Sequence, residues 1–136
     1  MKRLMIIIVL FLESVCYAQT QSDLTEKAGR DCTKSEQKMK AVLKKIALLY
    51  KDQKLFLEKL RISQKCWLKF RKAQLDALYP AKDKQAAYGS SYPTAYAHAM
   101  EALNKQRIVQ LMVWINGVEE GNIEAGSVKL KSQLRQ

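Results

Sequence analysis

Two long segments with helical apolar periodicity, joined by a polar turn of four residues at 51–54, constrain the fold of this chain more than any other feature. In the first segment, apolar residues recur at intervals of three or four, which marks one face of a helix. They are Met39, Leu43, Ile46 and Tyr50. Because the chain has only five glycines and two prolines in 136 residues, a turn-rich all-β fold is disfavoured. Since two long helices joined by so short a turn must run antiparallel, we predict an all-α fold, a small antiparallel helical bundle made of a long helical hairpin and a third helix.

The helix boundaries follow from turn and capping signals. We predict helices at residues 22–50, 55–79 and 93–115. The first helix either covers that whole range or begins late, at a capping box formed by Thr33 and Glu36. Pro80 ends the second helix, because proline disfavours a helical conformation in the residue before it. Residues 80–93 then form a loop, and Pro93 suits the first turn of the third helix.

The second and third helices each present one apolar face to the predicted core. In the second helix the face is expected to comprise Phe56, Leu60, Trp67, Phe70 and Leu78. In the third helix it is expected to comprise Tyr96, Met100, Leu103, Leu111 and Trp114. This spacing follows the period of an α-helix.

Polar residues on these apolar faces form the candidate site. They are Glu36, Gln64, Arg71 and Arg107. In the antiparallel hairpin Glu36 lies within reach of Arg71, and we expect the two to pair because a buried charge is costly without a partner. Gln64 or Arg107 would complete the network, and Trp67, one turn before Arg71, can stack on its guanidinium. The network either fixes the register of the helices or places one arginine in a groove that binds a partner.

Three stretches of the chain resemble one known family. The segment from Gln64 to Arg71, QKCWLKFR, resembles the Q-x-x-W-x-x-[YF]-R signature of the lysozyme-inhibitor LprI N-terminal-like domain family. Upstream, the segment EQKMKAVL that begins at Glu36 resembles that family's D-x-x-L-N-x-V-Y stretch. Downstream, the segment from Tyr96 to Leu111, which contains Arg107, resembles the family's closing helix with its R-x-x-x-L ending.

The resemblance implies a small helical domain that is exported to the bacterial envelope, and some members of that family inhibit lysozyme. The chain departs from the family where members commonly carry cysteine. The matching positions here are Lys27, Leu75 and Ala99. If those cysteines rigidify the fold of other members, this chain must stabilise the same regions by other interactions.

The first 18 residues have the pattern of a secretory signal peptide. A basic start precedes an uncharged run from Leu4 to Leu12, and the small residue Ala18 marks the expected cleavage site. The run is too short for a membrane span, which takes about 20 residues. The alternative is a lipoprotein anchored through Cys16.

These patterns divide the chain into three parts. We predict a signal peptide at residues 1–18, an LprI-like helical domain at 19–118 and a polar tail at 119–136. The tail is expected to be frayed. The predicted location is therefore periplasmic or secreted.

Two cysteines, Cys32 and Cys66, remain once a signal peptide is removed. Export favours their oxidation to a disulfide. The register of the hairpin opposes that bridge, because the two positions are about six residues out of step, or about 9 Å along the helix axis. A Cys32–Cys66 disulfide, free thiols and an intermolecular disulfide all remain open at this stage.

The chain is strongly basic, with 24 Lys and Arg against 13 Asp and Glu and a formal net charge of +11. We expect no nucleic-acid partner, because no recognition motif is present in a chain predicted to be exported. One predicted function is that of an envelope binding protein resembling LprI-type domains, with a lysozyme as partner and target of inhibition. The alternative is a structural or interaction protein that binds anionic envelope polymers through its basic surface. Long-range repulsion from a basic lysozyme disfavours the first.

No pattern in the sequence indicates an enzyme. His98 has no cysteine or carboxylate at metal-ligand spacing. There is no Ser/His/Asp, Cys/His or paired-carboxylate set of the kind that nucleophilic or acid–base catalysis uses. We therefore expect no catalytic residue, metal or cofactor.

Overall fold

The computed structural model describes the backbone of residues 2–134 and the side chains of residues 20–134. Within that part of the chain there are five helices and no strand. They are α1 (Lys2–Leu49), α2 (Lys54–Leu78), α3 (Lys84–Tyr88), α4 (Tyr92–Asn116) and α5 (Lys131–Leu134). The predicted all-α fold is confirmed. The segment interpreted as a signal peptide, residues 1–18, falls outside the side chains that the structure describes.

Helix α1 is continuous through the point where a late start was considered. The hydroxyl of Thr33 donates a 2.9 Å hydrogen bond to the carbonyl of Gly29, one turn earlier. That bond is typical of a threonine inside a helix, so Thr33 is not a capping residue. Helix α1 therefore runs unbroken to Leu49 and provides the long axis of the bundle.

Helices α1 and α4 run parallel and form the most closely packed helix pair. The hydroxyls of Thr25 and Thr94 lie 2.8 Å apart, and the Asn104 amide donates to the Ser35 hydroxyl at 2.8 Å. Each pair is separated by 69 residues, so the offset between the two helices is constant. Small side chains such as Ala28 on this face let the two backbones approach closely. The chain thus goes up along α1, down along α2 and up again along α4.

Helix α2 stands further from α1 and packs through long side chains. The buried core comprises Met39, Val42, Ile46, Tyr50, Ile108 and Leu111. Four half-buried residues of α2 pack against this core: Phe56, Leu57, Leu60 and Trp67. The core therefore lies mainly between α1 and α4, and α2 covers it.

The prediction that Phe70 and Leu78 belong to the buried face of α2 is wrong. Phe70 and Leu78 are 54% and 56% exposed, whereas Leu75 is 2% exposed. Leu75 follows Arg71 by four residues and so continues the buried face, while Phe70 is rotated away by about a quarter turn. Leu78 is the last residue of α2, and the ring of the next residue, Tyr79, packs against the α2–α4 connection instead.

The connection between α2 and α4 contains a short helix where a loop was predicted. Asp83 caps α3 by accepting a 2.9 Å hydrogen bond from the backbone N–H of Ala86. Four tyrosine rings pack against one another at this end of the bundle: Tyr79, Tyr88, Tyr92 and Tyr96. Pro93 lies in the first turn of α4, as predicted.

The tail folds back onto the bundle, so the expectation that it is frayed is wrong. Val118 and Leu130 form an isolated β-bridge. The backbone N–H of Lys129 donates to the Tyr50 hydroxyl at 2.9 Å, and its ammonium donates to the carbonyl of Leu49 at 2.6 Å. A lysine thus satisfies a carbonyl at the carboxyl end of α1, where a positive charge is favoured.

Candidate functional site

The predicted contact between Glu36 and Arg71 is present and joins α1 to α2. The Arg71 guanidinium donates to the Glu36 carboxylate at 2.9 Å. The same nitrogen of Arg71 donates to the side-chain carbonyl of Asn104 on α4 at 2.6 Å. Arg71 is only 16% exposed and Glu36 is 35% exposed. One arginine therefore links all three long helices in the interior.

Two residues that the sequence analysis missed extend this network. Asn104 is fully buried, and its amide donates to the Ser35 hydroxyl. That hydroxyl in turn donates to the carbonyl of Cys32 at 2.6 Å. The sequence signal for Asn104 was its helical spacing from Ile108 and Leu111, which places it on an apolar face. Among the side chains that the structure describes, no buried nitrogen or oxygen lacks a hydrogen-bond partner, as a buried network requires.

Arg107 and Gln64 form a second polar contact between α2 and α4. The Arg107 guanidinium donates to the Gln64 side-chain carbonyl at 3.1 Å, and to Ser63 and Gln110 at the same distance. These partners are all uncharged, so they hold the guanidinium in place without neutralising it. Burial lowers the pKa of Arg107 from its ordinary value.

The Trp67 ring contacts both arginines. The guanidinium carbons of Arg71 and Arg107 are 5.4 Å and 5.8 Å from the centre of its ring. At such distances the electron-rich face of the ring attracts both cations. The predicted stacking of Trp67 on Arg71 is present, and the contact with Arg107 adds to it. Gln64, Trp67, Arg71 and Arg107 thus form one cluster at the centre of the bundle.

Arg107 reaches the surface in a groove between α2 and α4. The groove has a volume of about 320 Å³. Its walls include the aromatic rings of Phe56 and Trp114 and the cations of Lys59 and Arg107. A second groove of about 380 Å³ lies between α1 and α4. In that groove the charges pair with one another, Lys34 with Asp31 and Lys105 with Glu101.

The two described cysteines are free thiols. Cys32 is buried on α1, whereas Cys66 is exposed on α2. The disulfide considered between them is therefore not formed in the structure, in keeping with the register of the hairpin. Burial raises the pKa of the Cys32 thiol above its ordinary value of 9.0.

Within the described residues, no three side chains of histidine, cysteine, aspartate or glutamate are close enough together to hold a metal ion. His98 is exposed on α4. In the same part of the chain, no helix combines the length and the apolar character of a membrane span. The groove between α2 and α4 presents cationic and aromatic side chains to solvent. Such groups are suited to contacts with an anionic or aromatic ligand.

The structure defines a small helical domain with an arginine network in its interior and open grooves on its surface. A family model described as "Lysozyme inhibitor LprI" matches residues 14–111. The chain therefore belongs to the LprI lysozyme-inhibitor family. The matched region includes Glu36, Gln64, Trp67, Arg71 and Arg107. No curated protein and no solved structure matches the chain.

Proposed function

We propose that this chain is exported to the periplasm or the medium, where it binds a lysozyme and inhibits it through the α2–α4 groove. Membership of the LprI family supports a lysozyme as the partner. The signal-peptide pattern of residues 1–18 supports export. The observation that carries the proposal is the geometry of Arg107, a held but uncompensated cation at the surface of this groove.

The α2–α4 groove has the composition of a binding hot spot. Trp114 and Phe56 supply aromatic surface, and Arg107 supplies a charged anchor beside them. Tryptophan and arginine are the residues that most often dominate binding energy in protein interfaces. Because three hydrogen bonds already fix the Arg107 head group, little side-chain entropy remains to be lost on binding.

The chemistry of glycoside hydrolysis supplies the matching feature in the target. Glycosidases generally use two carboxyl groups that flank the scissile bond. A guanidinium can bind a carboxylate through two parallel hydrogen bonds. Arg107, with Lys59 beside it, would therefore occupy the acidic cleft of a lysozyme and compete with substrate.

The net charge of +11 influences the rate at which the chain associates with different lysozymes. Two proteins of like net charge repel at long range, which slows their encounter at low ionic strength. An acidic or weakly basic lysozyme is therefore the favoured target. For a strongly basic lysozyme the association rate constant should rise with salt, because salt screens the repulsion.

The test is a cell-wall lysis assay with the exported chain titrated against lysozymes of several classes and net charges. Inhibition of at least one lysozyme is expected, and Arg107→Ala should weaken it about tenfold or more. Lys105→Ala is the matched control, because this exposed cation lies on α4 in the other groove. Inhibition that survives Arg107→Ala would contradict the role of the groove, and no inhibition or binding of any lysozyme would contradict the function.

A second candidate function is binding of anionic envelope polymers. It is favoured by the charge distribution, since residues 38–69 contain ten basic and two acidic residues and so carry +8 of the net charge. Binding of this kind should weaken steeply as salt increases. Affinity for lipoteichoic acid or lipopolysaccharide that is unchanged between low and high salt would contradict it.

A further inference from the structure

The third groove of the bundle lies between α1 and α2 and is almost entirely apolar. It has a volume of about 360 Å³. Its floor and walls include Leu43, Ala47, Leu57, Leu60 and Leu68. The groove exists because α2 stands away from α1, whereas α4 packs closely against α1. Leu68 remains 41% exposed there, which is costly for a large apolar side chain that nothing covers.

Two cations line the α2 wall of this groove, and two lysines lie close in sequence to Leu43 of the α1 wall. Arg61 and Lys65 lie on the α2 side. On α1, Lys40 precedes Leu43 by three residues and Lys44 follows it directly, and both are exposed. The groove therefore lies within the stretch 38–69, which holds most of the net positive charge. Its occupant must combine an apolar surface with negative charge.

We propose that the α1–α2 groove binds an acidic amphipathic helix of a partner protein. Arg61 and Lys65 line the α2 wall, and lysines lie close in sequence to Leu43 of the α1 wall. This distribution of positive charge matches a helix with acidic residues on both flanks of an apolar stripe. An anionic lipid would instead need cations gathered where its head group lies. Leu57 and Leu68 are eleven residues apart, about 16 Å along α2, which is the length of three helical turns. Three turns accommodate apolar anchors at positions i, i+3, i+4 and i+7 of a docked helix.

This proposal does not rest on lysozyme inhibition. Arg107 lines the groove on the other flank of α2, between α2 and α4. A bound helix would lie against α1 and α2 and add a fourth long helix to the bundle. Leu60 lines both grooves, so it is unsuitable as a probe of either.

The experiment uses the full exported chain and a fluorescein-labelled amphipathic peptide of about 15 residues, followed by fluorescence anisotropy. The peptide carries leucines at i, i+3, i+4 and i+7 and glutamates on both flanks. One control peptide has lysine in place of every glutamate, and another has the acidic sequence scrambled. We expect saturable 1:1 binding of the acidic helix alone, because only it matches both the groove and its cations.

Two variants test the location of the binding site. Leu68→Asp should weaken binding of the acidic peptide about tenfold or more, because it places a charge in the apolar contact. Leu24→Asp is the matched control, since Leu24 is also an exposed leucine but lies in α1 far from the groove. It should leave the affinity unchanged. Reversing the charge at the rim of the groove, with Arg61→Glu and Lys65→Glu together, should make the chain bind the lysine peptide more tightly than the acidic one.

Several results would overturn the proposal. If the scrambled acidic peptide bound as tightly as the amphipathic one, the binding would be nonspecific electrostatic attraction. Equal loss in the Leu24 and Leu68 variants would place the contact elsewhere. If the chain bound phosphatidylglycerol vesicles in a Leu68-dependent way and did not bind the acidic helix, the groove would belong to a lipid.

Discussion

Asn104 of α4 donates its amide to the hydroxyl of Ser35 on α1, 69 residues earlier in the chain. The other end of the same side chain accepts from Arg71 of α2. A single fully buried amide therefore connects the closest helix pair to the helix that covers it. Because these polar side chains are hydrogen-bonded to one another, removal of one member takes a partner away from each of its neighbours.

Asn104→Ala should lower the free energy of unfolding by about 1–3 kcal/mol, since it leaves the Ser35 hydroxyl and the Arg71 guanidinium short of a partner. Urea unfolding followed by circular dichroism measures this change. Gln106→Ala is the control, because Gln106 is exposed on the same helix. That control should change stability by less than about 0.5 kcal/mol. Equal stability of the Asn104 and Gln106 variants would show that the network contributes little.

Arg71→Ala should cost about 3 kcal/mol, because it leaves the Glu36 carboxylate without its partner in the interior. Glu36→Ala should cost less, since the Arg71 guanidinium that it leaves behind keeps its hydrogen bond to Asn104 and its contact with the Trp67 ring. A double-mutant cycle between the two residues isolates their coupling energy. A fully stable Arg71→Ala variant would instead indicate that Arg71 acts in binding and not in folding.

The contact between Glu36 and Arg71 could be predicted from the sequence because a four-residue turn fixes the register of α1 against α2. The register of α1 against α4 could not be predicted in the same way. A connection of about a dozen residues, with its own short helix, separates α2 from α4 and leaves their relative height undetermined. Ser35 and Asn104 depend on that register, so neither was recognised as part of the network.

The tail shows a second reason why sequence patterns fall short. Its composition is polar, which indicates a frayed end, yet Lys129 makes two hydrogen bonds to Leu49 and Tyr50, about 80 residues earlier. Those contacts depend on the carboxyl end of α1 and a tyrosine hydroxyl lying together in space. Local composition cannot report an acceptor that only the folded bundle creates.

Gly117→Ala should detach the tail from the bundle. Gly117 has φ of +68°, and a Cβ there would lie 2.7 Å from the Leu134 side chain and 2.9 Å from the carbonyl of Lys129. Gly121→Ala is a matched control, because its φ is +79° but its Cβ would contact nothing. Both substitutions force a positive φ on alanine, at a cost of about 1–3 kcal/mol, and only Gly117→Ala adds a clash.

Limited proteolysis, with the fragments identified by mass spectrometry, measures this detachment. Cleavage within residues 118–130 should be faster in the Gly117 variant than in the Gly121 variant. Tyr50→Phe should also speed cleavage, since it removes the acceptor of the Lys129 N–H. Equal cleavage in all three variants and the unaltered chain would contradict the docked tail.

The two described thiols should differ in reactivity and in their effect on stability. Cys66 is exposed and should react with a thiol reagent at once, while buried Cys32 should react only as the chain unfolds. The raised pKa of Cys32 makes the stability of the fold depend on pH in a definite direction. Below pH 9.0 the thiol is neutral in both states, but above it the unfolded chain loses the proton more readily, so stability falls as pH rises.

Thiol titration of Cys66→Ser and Cys32→Ala variants separates the two groups. The Cys66 variant should lose the fast phase, and the Cys32 variant should lose the fall in stability attributed to that thiol above pH 9.0. Mass spectrometry of the purified protein under non-reducing conditions provides the decisive control. A Cys32–Cys66 disulfide in that material would contradict the register of α1 and α2, because a bridge needs Cα atoms within about 7 Å.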